Sequence, residues 1–416
     1  MATIAYIANQ FPSPVEPYVM EEIRELRRRG VNVIPCSVRL PESSIDDDLR
    51  SFSVETLYLR PPRFGLSVSA AWLCLSRHKI LADLMKRAVL GGKEPPSRRM
   101  RTLVHTWLGA YYALLLQGRG VEHIHVHHGY FASWVAMVAA RLLKISFSIT
   151  LHGSDLLLDP RYLETKLKHC KFCVTVSDFN RQHILGRYPE CDPRKLLVQR
   201  LGVRLRETPG LVSENITPGS RIVMLAVGRL HPIKNHTFLL QACRQLKDRG
   251  LGFVCWIAGE GSERSTLERL IFQLGLQAEV HLLGHLRSPQ LDACYANSNL
   301  VVLTSHSEGI PLALMEAMAH GKTVLAPAIT GIPELVRDGE TGFLYRPGSL
   351  EDFVSQVERI RKSLPALGPI RLAARRYVLE HFNCEKNAAA FGNNFLREIR
   401  GALDSNSYEN PVLQQI

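Results

Sequence analysis

No run of apolar residues in this chain approaches the ~20 needed to cross a bilayer. The longest, Phe64 to Ser76, is interrupted by Gly65, Ser67 and Ser69. No charged segment leads into an apolar stretch at the N-terminus either, so the expectation is a cytoplasmic chain with neither signal peptide nor anchor. Cysteine is scarce and odd in number, nine among 416 residues, which fits reduced thiols better than a disulfide framework. Cys170 and Cys173 form a lone CxxC, and without a second pair at ligand spacing they read as buried thiols rather than zinc ligands. Acidic residues are outnumbered, 39 against 51 Lys and Arg, leaving a net charge of +12. No helix-turn-helix, zinc-finger or aromatic RNA-binding pattern accompanies that charge, so nucleic acid is not an expected partner.

What is present is a 46% apolar chain long enough for two domains with full cores. Most of the excess charge is local. Between Arg60 and Arg119 eleven Lys and Arg face only Asp83 and Glu94. Trp72, Leu73, Leu75, Ile80, Leu81, Leu84 and Met85 are interleaved there at helical spacing. The pattern describes a basic amphipathic surface suited to anionic lipid, and equally a solvated face over a core helix.

Strand and helix signals alternate along both halves. Thr3 to Ala8 reads as a buried strand, Val19 to Arg29 as a helix stopped by Gly30, and Val31 to Val38 as the next strand. Glu16 falls in the intervening turn, where an acid also suits the helix dipole. Further strands are expected at Glu122 to His127, Phe147 to Leu151 and Val174 to Ser177. The first of these ends in His125, His127 and His128. Alternation sets His125 and His127 on one face and turns His128 away, and no carboxylate or Cys lies nearby in sequence, which argues against a metal. The second ends in His152-Gly153-Ser154-Asp155. Asp46 and Asp48 form an Asp-x-Asp pattern without a preceding apolar strand and read as loop or capping acids.

From 203 to 220 the periodicity gives way to Pro, Gly, Ser and Thr, marking a boundary. The expected division is a first domain over 1–205, a linker over 206–220 and a second domain over 221–385. A C-terminal helix over 386–404 is expected to pack back toward the first domain, and a tail over 405–416 to be disordered. The second series opens with a strand at Arg221 to Val227 followed by Gly228, Arg229 and Lys234. It continues through Gly252 to Ala258 with Gly259-x-Gly261, and Val280 to Leu283 with Gly284, His285 and Leu286. The lone GxG lacks the acid that would complete a dinucleotide fingerprint.

The most informative stretch is 298–346. A strand at Leu300 to Leu303 runs into a turn, and Pro311 opens a helix whose stripe of Leu312, Leu314, Met315, Ala317 and Met318 stops at Gly321. Glu308 lies beside the amides of Gly309 and Ile310, where partial positive charge favours a phosphate. Glu316, over a turn further on, is placed to accept from a vicinal diol such as a ribose.

Ser305, Glu308, Gly309, Pro311, Glu316, Ala317, Met318, Ala319 and Gly321 fit the donor signature of the retaining glycosyltransferases of family 4, which this stretch resembles. Gly331-Ile332-Pro333-Glu334-Leu335 and Asp338-Gly339-x-Thr341-Gly342 also match, as does the Gly228-Arg229-Leu230…Lys234-Asn235 turn. The opening from Phe11 to Gly30 is similar to a subgroup tied to bacterial exopolysaccharide and colanic-acid-type assembly, although Pro17 and Tyr18 replace its usual Thr-Phe. The resemblance implies the α/β GT-B fold, two Rossmann-like domains facing across a cleft. It implies transfer of a sugar from a nucleoside diphosphate, UDP or GDP, to a glycan or lipid-linked acceptor hydroxyl, with configuration retained and neither cofactor nor metal required. Arg229 and Lys234 would hold the diphosphate, Glu308 the sugar, Glu316 the ribose, and Gly284 to Leu286 the base, with Gly228, Gly309, Ile310, Pro311 and Leu312 completing the donor site. His152 would lie by the transferred sugar. Glu16, His127 and Asp155 would lie on the acceptor side. A sugar-nucleotide epimerase and a non-catalytic, membrane-associated subunit remain as alternatives, and a phosphorylase would need a pyridoxal cofactor. Peripheral attachment to the inner membrane face would suit residues 60–119.

Overall fold

The computed structural model describes residues 2–13, 16–41, 47–91, 94–204 and 221–401. Asp46, the whole linker over 206–220, the tail from 402 and the side chain of Asp48 fall outside them. The chain divides into two compact units. The first comprises Met1–Val176, Asn180–Gln199 and Lys386–Ile416, the second Ser177–Phe179 and Arg200–Glu385.

Seven parallel strands form the sheet of the first unit: β1 (Thr3–Gln10), β2 (Asn32–Arg39), β3 (Leu57–Tyr58), β4 (His123–His127), β5 (Ser146–Leu151), β6 (Cys173–Thr175) and β7 (Leu196–Val198), in the order β3-β2-β1-β4-β5-β6-β7. Residues of β1 alternate between the two faces, as the pleat requires. Ala5 and Ile7 join a core with Leu108 and Val135. Ile4, Tyr6 and Ala8 pack with Ile23 and Leu26 of the helix Pro17–Arg28, and with Phe391 and Phe395 of the helix Cys384–Arg400.

The second unit repeats the plan with β8 (Ile222–Val227), β9 (Phe253–Ala258), β10 (Val280–Gly284), β11 (Leu300–Val302), β12 (Thr323–Pro327) and β13 (Phe343–Tyr345), ordered β10-β9-β8-β11-β12-β13. Each sheet reverses its winding once, between β1 and β4 in the first and between β8 and β11 in the second. At such a reversal the loops after neighbouring strands diverge to opposite faces, leaving a crevice at the carboxyl ends of the strands.

All nine cysteines are free thiols, and Cys170 and Cys173 are buried. Among the described residues no helix is long and apolar enough to cross a membrane. The single apolar stripe expected across residues 72–85 is divided between two helices, Phe64–Ser76 and His78–Val89. Leu81 and Leu84 are buried, whereas Trp72 and Leu75 stand exposed together with Phe64 and Val68. The outward stripe therefore begins earlier, at Phe64, because the break near Arg77 lets the second helix turn its leucines inward.

Candidate functional site

The crevice of the second unit gathers most of the residues expected to hold the donor. Gly228 and Arg229 follow β8, and the chain then enters a short 3-10 turn, Pro232–Lys234, ended by Asn235 at φ 52°. The segment after β11 fixes that turn. Thr304 Oγ1 donates to the Lys234 carbonyl at 3.0 Å, and the His306 amide donates to the Ile233 carbonyl at 2.8 Å. The Lys234 side chain lies over Gly228, where an added Cβ would meet its Cδ and Cε at 3.4 Å. Its ammonium reaches Glu308 Oε1 at 2.6 Å, an oxygen that also accepts from Ser305 Oγ at 2.6 Å. Arg229 is exposed and bonded to no other described side chain.

The helix expected to open at Pro311 begins one residue later, Leu312–Ala319, with Pro311 as its N-cap. The amides of Gly309, Ile310, Leu312 and Ala313 donate to no described residue, as the first turn of a helix leaves them. Close packing shapes this loop: a Cβ on Gly331 would sit 2.2 Å from the Gly309 carbonyl oxygen. Glu316 lies within the helix, and the buried Tyr295 hydroxyl donates to its Oε2 at 2.9 Å. Gly284 ends β10 with φ 75°, and Gly259 donates to its carbonyl at 2.8 Å. His285 beyond it is exposed.

The crevice of the first unit carries a different chemistry. His127 ends β4 fully buried, with Nδ1 at 2.9 Å from His152 Nε2 and Nε2 at 3.0 Å from the Tyr6 hydroxyl and 3.1 Å from Glu22 Oε2. Tyr6 in turn donates to Glu22. His128, at φ 70°, bonds Glu16 Oε1 through Nε2 at 2.9 Å and faces Asp155 through Nδ1 at 3.7 Å. Burial disfavours charge on His128, but Glu16 and Asp155 outweigh it and raise its pKa to about 10. Burial also opposes ionisation of Asp155, yet the His128 contact and the Gly153 amide hold it well below the usual carboxylate range. His152 is held neutral, its pKa driven far down by burial and by the His128 charge. Its Nδ1 is buried without a partner among the described residues.

Asp155 was expected to face the acceptor. It has no exposed surface, and its carboxylate accepts from the amides of Gly129 at 2.8 Å, Gly153 at 2.8 Å and His152 at 3.1 Å. It therefore positions the His128 and His152 turns rather than meeting a ligand. The argument against a metal from the want of a nearby carboxylate holds in sequence but not in space, since Glu22, His125 and His127 bring ligand atoms within 4.8 Å of one another. Both nitrogens of His125 are already engaged, with Ser148 Oγ at 2.7 Å and Thr150 Oγ1 at 3.0 Å, and burial keeps the ring neutral. Such engaged donors fit a hydrogen-bonded core better than an ion's coordination shell.

Two family descriptions match successive parts of the chain, "Glycosyltransferase Family 4" over residues 15–207 and "Glycosyl transferases group 1" over residues 212–366. Both parts of the chain match glycosyltransferase families. WcaL of Salmonella typhimurium, whose name assigns it provisionally to colanic acid biosynthesis, is 34% identical over 201 residues, 46% of this chain and 49% of that protein. The amylovoran biosynthesis glycosyltransferase AmsK of Erwinia amylovora is 30% identical over 199 residues, 46% of this chain and 48% of its own. The matches thus span about half the length of these curated relatives. Among solved structures, sucrose-phosphate synthase from Thermosynechococcus elongatus superposes with a TM-score of 0.73 at 18% identity, over 97% of this chain and 100% of that one. Anabaena HepE in complex with UDP and glucose gives 0.68 at 17% identity, over 95% and 100%. The α/β fold implied by the resemblance is therefore found.

Several residues that shape the two crevices were not singled out from sequence. Glu22 carries a legible signal, since it falls between Val19 and Leu26 on the buried face of its helix. Lys166 shares a buried helical face with Leu163 and Leu167. Acids and lysines at apolar positions are rarely fully buried without partners. Tyr6 and Tyr295 read as ordinary core aromatics, and only their tertiary contacts distinguish them.

Proposed function

We propose that this protein transfers a sugar from a nucleoside diphosphate to an acceptor hydroxyl with retention of configuration, in the assembly of an exopolysaccharide or its lipid-linked precursor. The observation that carries the reading is the β8/β11 crevice, where Lys234 pairs with Glu308 beside a run of unpaired amides from Gly309 to Ala313. A diphosphate placed there meets Lys234, Arg229 and the helix N-terminus, which together offset the charge that grows on it as the glycosidic bond breaks. Glu316, steadied by Tyr295, accepts from the ribose diol. Glu308 accepts from a hydroxyl of the transferred sugar.

In the retaining step the bond from the sugar's anomeric carbon to the diphosphate oxygen breaks while the acceptor oxygen attaches on the same face. The acceptor's proton passes to the departing phosphate oxygen. Neutral His152, whose Nδ1 has no partner among the described residues, can donate to or accept from a ligand hydroxyl. The names of WcaL and AmsK support exopolysaccharide as the product class.

The outward stripe of Phe64, Val68, Trp72 and Leu75, from 57 to 87% exposed and flanked by Arg60, Arg63, Arg77 and Lys79, supports docking on an anionic bilayer. A thermal-shift screen across nucleotide sugars tests the donor assignment. One nucleoside diphosphate sugar is expected to stabilise the native chain, and Glu316→Ala and Arg229→Ala to abolish that shift without changing the apo melting temperature. Unchanged donor affinity in both variants sinks the reading. Release of nucleoside diphosphate that depends on added acceptor separates transfer from epimerisation.

A further inference from the structure

A second cavity in the first unit, of about 140 Å³, belongs to none of the roles assigned above. It lies between the start of the long helix Pro96–Leu116 and the first turns of the helix Phe131–Leu143. One water needs only ~10–15 Å³, so the space admits a larger occupant. Arg98, Arg101, Arg161 and Lys166 line it, and no acid does. Asp159 stands behind this wall, 3.3 Å from Arg98 and 2.6 Å from Arg161 Nε, and offsets one of the four charges. Arg101 is exposed and has no described partner.

A separate observation concerns Tyr162. Its ring is buried against Trp134 at 5.0 Å and under the Arg87 guanidinium at 4.8 Å, and it lines the same cavity. Only 4% of Tyr162 is exposed, yet its hydroxyl has no hydrogen-bond partner among the described residues. A buried hydroxyl left unpaired is destabilising unless something arrives to bond it. Neighbouring groups register the crowded positive charge. His105, stacked on Phe131 at 5.0 Å, has its pKa lowered to about 4 by burial and then by Lys166, Arg60, Arg161 and Arg101. Lys166 is lowered to about 7, chiefly by burial with Arg161 adding to it.

We propose that this cavity binds a phosphoryl group of the acceptor, held by the guanidinium groups of Arg98, Arg101 and Arg161 and by the Tyr162 hydroxyl. Planar guanidinium forks match phosphate oxygens in pairs, which a cluster of arginines exploits better than one of lysines. Lys166 is not a direct ligand. Its ammonium donates to the carbonyls of Gly129 at 2.8 Å, Tyr130 at 2.7 Å and Arg161 at 2.6 Å. It thereby ties the cavity wall to the turn that carries His127 and His128. A phosphate bound here is thus anchored to the same turn as the β1/β4 crevice. The assignment to an acceptor rests on the transfer reading above, whereas the phosphate chemistry does not.

Calorimetric titration of the full chain with inorganic phosphate tests it, with glucuronate as a carboxylate control and geranyl phosphate as a lipid-like probe. Phosphate is expected to bind, and Arg98→Ala/Arg101→Ala to weaken it at least ~10-fold. Tyr162→Phe is expected to weaken binding about 3- to 10-fold while leaving the melting temperature in phosphate-free buffer unchanged or raised, because it removes an unpaired group. Geranyl phosphate binding more tightly than phosphate assigns the group to a lipid-linked acceptor, and equal binding assigns it to a water-soluble one. Equal phosphate affinity in wild type and both variants, or glucuronate binding as well as phosphate, overturns the proposal. Nucleotide-sugar stabilisation is expected to survive in both variants, so this site and the donor site can fail independently.

Discussion

The two units share a winding plan and use polar groups in opposite ways. In the second, the candidate residues emerge from glycine-bearing turns at strand ends, and Arg229 reaches solvent while Lys234 and Glu308 hold each other. In the first, the polar groups in and beside β4 face inward. His123, His125, His127, Glu22 and Asp155 are all buried, linked by hydroxyls and amides. A ligand with its own charge calls for the second unit's kind of surface, where a cation and the amides at a helix start remain open to it. Buried neutral rings and satisfied acids instead keep one geometry. At its strand ends the second unit thus presents polar groups to solvent, whereas the first holds those around β4 in one buried geometry.

The largest expected effect falls on the charge-binding side. Lys234→Ala should lower kcat/KM by about 100- to 1000-fold, some 3–4 kcal/mol, with the melting temperature little changed. A loss below tenfold would make Lys234 a structural partner of Glu308 only. Next comes the backbone of the same crevice. Gly259 adopts φ 152°, and a Cβ there would lie 1.9 Å from the Gly228 carbonyl oxygen, so Gly259→Ala should destabilise the second unit by about 3 kcal/mol in chemical denaturation. A smaller cost would show that this turn can move.

Acid distinguishes the units more finely. The folded pKa of His123 is depressed to about 3 by burial and by Lys171, so its contribution is present above the ordinary value near 6.5 and is lost as pH falls toward 3. That amounts to about 1.4 kcal/mol per pH unit. His128 has the opposite sign: raised to about 10, it contributes below the ordinary value and loses that contribution as pH rises through 10. Hydrogen exchange resolved by peptide should show β4 and β5 losing protection before β8 and β9 as pH drops from neutral toward 4. Simultaneous loss in both sheets would erase the contrast. The smallest effect is expected at the exposed stripe. Arg77→Ser should weaken association with vesicles containing anionic lipid by about fivefold, or ~1 kcal/mol, and unchanged flotation would remove the membrane from the first unit's role.

The turn after β11 was legible in sequence because its geometry is local. Glu308, Pro311 and Glu316 are separated by a few residues of one turn and helix, so their spacing nearly fixes their relative placement. The first unit resisted the same reading. Glu22 and His127 meet across 105 positions, and Glu16 and His128 across 112. Nothing in local periodicity joins such partners. Asp155 illustrates the limit, since its place at a strand end suggested a ligand contact, while three amides converging on it make it a brace.

The amino-acid sequence by itself determined two α/β series, their apolar strands and the short-range pattern of the β11 turn, because hydrophobic period and turn chemistry act over neighbouring residues. Only the tertiary structure decided which polar side chains became ligand-facing and which became buried supports. That choice depends on which strands pair at the two reversals, and so on which distant groups share a space from which water is excluded.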